Sequence, residues 1–413
     1  RVFTGRKRPD MKKLLLALMI AALLCPAAAA EAKSKADYTL PTKGRTVLQN
    51  IPDRDIAVQA AAEARDTVAG ESPVTGLPWE GTYLPMLAQI GNLTDTVKVN
   101  GRDVKASGIG KNTPWGLQYA DIVYEEMATD SGSTRFTALF SDCFAQGQPA
   151  DGIGPLRSCR IGALYLREEW QSGLVYGGGF AGTFGWRDQT TAQFLSDHKL
   201  LEQGVLFNTL TAKYHRLGYR VKSVKAPNNF NIDLIALRNL IPDTYVSTPH
   251  PFLFSDGGYY ADGYEAAGTV NLDWGYKYNI SHFVYDEAAN AYVRYCGAGM
   301  NADKWAPFTA FASAQDRSEE NRQQLSFANV IIQRVSYEYE GGSGARLNTE
   351  SVGRGNADIF IDGVYIPGYW VRASLSEPTV FYDDQGNELR LNRGKTFIAH
   401  FPAERLCTFG DEV

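Results

Sequence analysis

Arg157, Ser158 and Arg160 stand in the run IGPLRSCRI, where a Gly-Pro turn delivers two guanidinium forks and a hydroxyl to what reads as the start of a helix. On a helix, three-residue spacing puts both arginines on one face, and the unpaired N–H groups of the N-terminus add donors and a positive dipole end. The chemistry this suits is capture of a carboxylate or phosphate, whose oxygens accept paired N–H donors. Arg135 opens the run TRFTALF, and Asp121 and Glu125 lie in ADIVYEEM just before it. A hairpin of those runs sets Arg135 across from Glu125 or Glu126, a cross-strand pair worth a few tenths to about 1 kcal/mol. The same residues allow a purely architectural use, in which Arg157 and Arg160 pair with Asp121, Glu125 or Asp142 and hold a strand to a helix. For Glu125 or Asp121 to serve as general acid or base, it must be partly buried beside a cleft with a shifted pKa. Asn229, in APNN, and the glycines of YGGGF (Tyr176 to Phe180) are the groups expected to share a cleft with the arginines.

The elements that must position these groups follow from periodicity. YLPMLAQIG, ADIVYEEM, TRFTALFS and SGLVYGG are short apolar or alternating runs bounded by turn residues, which predict strands. Helices are predicted over Arg160–Trp170, Thr190–Leu201 and Asp233–Ile241, the last with Asn231 or Asp233 as its cap. Together they make an α/β domain over residues 72–251. Residues 276–403 form a smaller, mostly antiparallel β-rich domain, so the fold class is α+β. Its signals are a hairpin in HFVYDEAANAYVRYC, a long alternating strand in FANVIIQRVSYEYE and a hairpin turning on Asp362-Gly363, where a type I′ turn needs positive φ. Further strands in PTVFYDDQGNELRLNRGKTFIAHF complete a small sheet or open barrel.

The N-terminus carries a compartment signal. Met11-Lys12-Lys13, the apolar run LLLALMIAALL and the A-x-A site at Ala28-Ala29-Ala30 have the form of a secretory signal peptide over residues 1–30, with residues 1–10 an upstream extension. The run is too short to span a membrane, so no transmembrane segment is expected in the processed chain. Cys25 invites lipid anchoring, but Leu24 before it and Pro26 after it disfavour processing there. Residues 31–71 read as a tether. Setting aside the six Lys/Arg and one Asp of residues 1–30 leaves 35 basic against 45 acidic residues, a formal charge of −10. Such a surface disfavours generic nucleic-acid binding, so any anion site is a basic pocket in an acidic exterior. Cys143, Cys159, Cys296 and Cys407 are free to form disulfides or to stay as buried thiols.

Other chemical signatures are weak. The histidines at 198, 215, 250, 282 and 400 lack zinc-site spacing, and no cofactor is expected. GIGKNT (Gly108 to Thr113) puts Asn112 where a phosphate loop needs Ser or Thr, and a hairpin tip is the better reading. No G-x-S-x-G elbow is present.

Several of these runs fall in an order that carries a resemblance. TGLP, ADIVYE, TRFTALF, IGPLRSCR and APNN, followed by YDEAANAYVRY, NVIIQ, GNADIFIDGVYIPGYW and EPTVFYDDQGNELRLNRGKTFI, resemble successive landmarks of the YerB-like lipoprotein family, with its N- and C-terminal modules of unknown function. The resemblance implies an extracytoplasmic bacterial protein and names no activity. The chain departs from the family pattern at Cys159, where Ala is usual, at Asn228, where His is common, and at Ile90-Gly91-Asn92, where an Asp usually follows Ile. The expected role is therefore an exported envelope protein that binds an anionic ligand, a cell-wall polymer or an envelope protein partner, through Arg157, Ser158 and Arg160. The alternative is an envelope glycan hydrolase or transferase using Glu125 or Asp121 as acid/base.

Overall fold

The computed structural model describes residues 46–47, 65–129, 131–179, 183–184, 189–190, 195–339, 347–403, 405 and 407–410. The expected signal peptide and all of the expected tether except 46–47 and 65–71 lie outside the described residues. No helix among the described residues is long and apolar enough to cross a membrane.

Strands dominate, more strongly than the α+β reading implied. The first segment supplies β1 (Met86–Gly91), β2 (Ile122–Met127), β3 (Thr134–Phe140), α1 (Ile161–Trp170), β4 (Gly173–Tyr176), β5 (Leu206–Asn208), α2 (Ala212–His215), β6 (Gly218–Arg220), β7 (Phe230–Ile232) and α3 (Leu234–Arg238). The second supplies β8 (Thr269–Asp273), β9 (Ile280–Asp286), β10 (Ala291–Gly297), β11 (Asn329–Tyr339), β12 (Gly353–Ile361), β13 (Val364–Arg372), β14 (Thr396–Pro402) and β15 (Cys407–Gly410). The helix expected over Asp233–Ile241 stops at Arg238, although Asp233 caps it as expected, its carboxylate accepting from the Ala236 N–H at 2.8 Å. Replacing Asp233 by alanine is expected to cost about 1 kcal/mol in a urea titration. Of the helix expected over Thr190–Leu201, one turn at residues 195–197 is described.

Both segments build one large sheet, in the order β5-β4-β1-β3-β2-β14-β11-β12-β13. The seam is β2 against β14, which run parallel with Thr396 beside Ile122 and His400 beside Glu126. Strands of the second segment thus do not close on themselves. Some join this sheet, while β15, β8, β9 and β10 form a second, antiparallel one. The β12–β13 hairpin turns on Asp362 and Gly363 at φ of 56° and 74°, as a type I′ turn requires. GIGKNT is not a hairpin tip: the hairpin Thr94–Val99/Arg102–Ser107 turns on Asn100-Gly101, and Gly110–Asn112 is a 3-10 turn after it.

Alternation along the strands sorts side chains to two faces. Val123, Val330, Ile332, Phe397 and Ala399 pack toward the second sheet with Phe283, Tyr292 and Phe409. Ile122, Tyr124, Ile331 and Ile398 face the other way, against Leu164, Leu166 and Trp170 of α1. Glu125 is therefore committed to the space between the sheets and Glu126 to the helix side.

Candidate anion-binding site

Arg157 does not lie on the helix. Helix α1 begins at Ile161 with Arg160 as an extended N-cap, and Arg157 belongs to a stretch that bridges three strands. Its N–H donates to the Gln89 carbonyl at 2.9 Å, its own carbonyl accepts from Gly177 at 2.8 Å, and Leu156 donates to Phe230 at 3.0 Å. These ties pull the chain straight, so the expected pairing of Arg157 and Arg160 on one helical face is not realised. Glycine at 91 is what lets the Arg157 stem lie against β1, since a Cβ there would sit 2.9 Å from Arg157 Cγ.

The Arg157 side chain instead borders an open cavity of about 220 Å³, lined also by Ser158, Thr209, His215 and Arg220 over a floor of Leu156 and Phe230. Its guanidinium donates to Asn228 Oδ1. Burial alone lowers its pKa, with no neighbouring carboxylate to offset the cost. Arg220 lies over the Phe230 ring, 5.7 Å from its centre, and donates to Asn229 Oδ1 at 2.9 Å. Asn229 is fixed in turn by donating to the Val221 and Val224 carbonyls at 3.2 and 3.0 Å. It therefore orients Arg220 rather than reaching a ligand itself. His215 stacks on Phe230 at 4.6 Å and 25°, and its Nδ1 lies 2.9 Å from the Thr209 carbonyl. A carbonyl only accepts, so Nδ1 carries the proton and Nε2 is the nitrogen left for other work. Among the described residues, no Asp or Glu lines this cavity.

Arg135 sits behind the wall. The β2–β3 register sets it opposite Glu126, as the hairpin reading expected, yet its guanidinium donates to the carbonyl and hydroxyl of Ser158 and forms no ion pair among the described residues. Burial, helped by Arg160 and then Arg157, pushes Arg135 down to about 9, still protonated at neutral pH. Arg160 turns away from the cavity, donating to the carbonyls of Ala128 at 3.4 Å and Cys159 at 3.2 Å. Three guanidinium groups thus surround Ser158, but only Arg157 reaches the opening.

The N-terminus of α1 is not open to an outside anion, because Glu126 fills it. Its carboxylate is fully buried, accepts from Thr137 at 3.2 Å and Thr349 at 3.3 Å, and lies 3.9 Å from His400 Nδ1. A Cβ on Gly162 would come within 2.0 Å of Glu126 Oε2, so glycine is required for that approach.

The two acid/base candidates are consumed inside the fold. Glu125 has no exposure and binds Arg294 Nη2 at 2.7 Å, with further donors from Thr134 at 2.6 Å, Asn92 at 3.1 Å and Ser281 at 3.1 Å. Asp121 accepts the backbone N–H groups of Ser141 and Asp142 at 2.6 and 3.0 Å. Asp142 holds Ser72 and Thr75 at 2.8 and 2.5 Å. None of the three carboxylates pairs with Arg157 or Arg160, so the strand-to-helix staple is not formed either. Burial, then the Asp142 charge, pushes Asp121 up to about 8. Its folded pKa exceeds the unfolded value of about 3.9, so the folded state holds an extra proton in between, and stability falls as pH rises toward 8. The urea midpoint is expected to drop between pH 5.5 and 8.5, and Asp121→Asn to flatten that drop; equal slopes in both proteins would contradict it.

Arg294, His215, Arg220 and Thr209 are absent from the sequence-derived site. Arg294 had a local signal, since it falls in phase with the inward Tyr292 and Cys296 of β10, and an inward charge demands a partner. The stretch between Glu202 and Asp233 had another, carrying several bases and no acid. Cys143, Cys159, Cys296 and Cys407 are buried and unpaired. A separate hollow beside Trp170, Phe252 and Phe381 encloses only about 40 Å³, and Arg65 and Glu388, 2.7 Å apart, lie among its lining groups.

Residues 109–247 match the family described as protein of unknown function DUF3048, N-terminal domain, and residues 270–398 match its C-terminal domain. The chain belongs to the DUF3048 family. The crystal structure of YerB protein from Bacillus subtilis is similar, with a TM-score of 0.56 at 22% identity over 80% of this chain and 96% of that one, which shows a shared fold. No curated protein matches the chain.

The three positions at which the resemblance implied a departure now have locations. Asn228 receives the Arg157 guanidinium at the cavity rim. Cys159 is buried behind the wall, its N–H donating to Gly178 at 2.9 Å. Gly91 ends β1 opposite Arg135, where the Arg157 stem lies against it.

Proposed function

We propose that this DUF3048 protein binds an anionic group in the cavity between Arg157 and Arg220, outside the bacterial cytoplasmic membrane, on a wall polymer or an envelope partner. The observation that carries the reading is two guanidinium groups and an imidazole around one open cavity whose described lining holds no carboxylate. Structural arginines are normally paired with acids, because leaving a buried charge uncompensated is costly. Among the described residues, half-buried Arg157 has only the neutral oxygen of Asn228, and Arg220, exposed at the rim, only that of Asn229. An arriving oxyanion supplies the missing charge, and Ser158 and Thr209 add hydroxyls to the lining. Export is supported by the signal-like segment from Met11 to Ala30. The glycosidase-type alternative requires a carboxylate facing a cleft, and Glu125 and Asp121 are held elsewhere.

Calorimetric titration of the purified protein with inorganic diphosphate at low salt tests the reading. Binding at one site that disappears in Arg157→Ala/Arg220→Ala is the expected result. Absence of diphosphate binding, or equal binding by the double variant, would remove it.

A further inference from the structure

We propose, resting on that reading, that the ligand is a linear phosphate polymer, which leaves the Arg157–Arg220 cavity along flanking lysines. The chain is acidic as a whole, at a formal −5, yet between Glu202 and Asp233 it has five Lys/Arg and no acid. All five are exposed. Arg216 belongs elsewhere, to a hollow shared with Asp151 and Asp233. The others are close in sequence to residues that line the cavity. Arg220 lines it, and Lys213 precedes His215 on α2.

Lys222 and Lys225 ride on the loop that ends in the cavity wall at Pro227. In the run Val221-Lys222-Ser223-Val224-Lys225 the valines are buried with Trp115 and Phe311, which leaves the lysines in solvent. Asn229 clamps this loop by its bonds to the Val221 and Val224 carbonyls. Among the described residues, Lys213, Lys222 and Lys225 form no ion pair.

A small anion held by Arg157 and Arg220 has no use for these three ammonium groups, whereas a chain of phosphates extending out of the cavity has further charges to offer them. Phosphate fits the cavity better than carboxylate. A planar carboxylate presents its acceptor sites close to one plane, while a tetrahedral group offers oxygens to Arg157, Arg220 and the Ser158 hydroxyl in different planes. Nucleic acid is disfavoured because the ring in the cavity is covered: Phe230 is buried beneath Arg220 and His215, and the exposed Tyr219 lines the Arg216 hollow instead.

The test compares long-chain inorganic polyphosphate with diphosphate across a salt series, using the whole chain. Polyphosphate is expected to bind more than tenfold tighter, with log affinity falling against log salt at a slope of about −3, as for four or five neutralised phosphates on a flexible chain. Lys213→Ser/Lys222→Ser/Lys225→Ser is expected to lose about tenfold for polyphosphate and to reduce the slope by about 2, leaving diphosphate unchanged. Equal affinity and slope for the two ligands, or an unaffected triple variant, would overturn the polymer proposal while the small-anion site stands. Loss of diphosphate binding by the unaltered protein would instead bring down the site itself. Single-stranded DNA of matched charge binding as tightly as polyphosphate would overturn the choice of a base-free chain.

Discussion

Replacing Glu125 with alanine is expected to lower the unfolding free energy by about 3–5 kcal/mol, because it strands a buried arginine. Arg294 is 1% exposed and its carboxylate partner not at all. The pair crosses the molecule, with Glu125 on β2 of the large sheet and Arg294 on β10 of the second. Around the guanidinium stand Phe308, Phe136 and Phe397 at 4.1, 4.9 and 4.9 Å, and among the described residues neither Nε nor Nη1 has a hydrogen-bond partner. The aromatic faces offset part of the desolvation cost, and Glu125 supplies the rest. Without it, no other carboxylate takes over, since Glu126 points to the opposite face. The double variant Glu125→Leu/Arg294→Met is expected to recover most of the loss, because apolar groups of similar volume remove both charges at once. Urea midpoints of the three proteins check this. A Glu125→Ala loss below about 1 kcal/mol, the scale of an exposed pair, would contradict the account.

The second large effect is on binding. Arg157→Ala is expected to weaken diphosphate about 10- to 100-fold, the range of a hydrogen bond to a charged group at 1.5–3 kcal/mol. Arg157→Lys keeps the charge but not the planar fork, so it should restore only part of the affinity. Stability separates this role from an architectural one. Arg157 is lowered by burial with no acid to compensate, so Arg157→Met is expected to leave the urea midpoint unchanged or slightly higher. A structural arginine would show the reverse, with stability lost and affinity kept. The comparison is direct, because both quantities come from the same purified variant.

Much of the fold was legible because it is written locally. Alternation marked β2, β3 and β11, the Asp362-Gly363 pair marked its hairpin, and Asp233 marked its cap. The seam of β2 with β14 left no such mark, since pairing residues 122–126 with residues 396–400 depends on contacts far apart in sequence. For that reason strands that looked like a self-contained sheet were divided between two. The site was half legible. The RSCR run located Arg157, but its helical register failed because β1, β7 and Gly177 after β4 claim the backbone of Leu156 and Arg157. The helix N-terminus that seemed free was filled by Glu126, which reaches Gly162 from β2, an element distant in sequence from the helix. Arg220 and His215 come from a different stretch, brought in by β6 and α2.

The most direct measurement is a crystal structure of the whole protein grown or soaked with tungstate, a tetrahedral oxyanion located by its anomalous signal. The account predicts a peak within hydrogen-bond reach of both Arg157 and Arg220, beside Ser158, that vanishes in Arg157→Ala/Arg220→Ala crystals. Density confined to Arg160 or to scattered surface lysines, with the cavity empty at saturating tungstate, would contradict it.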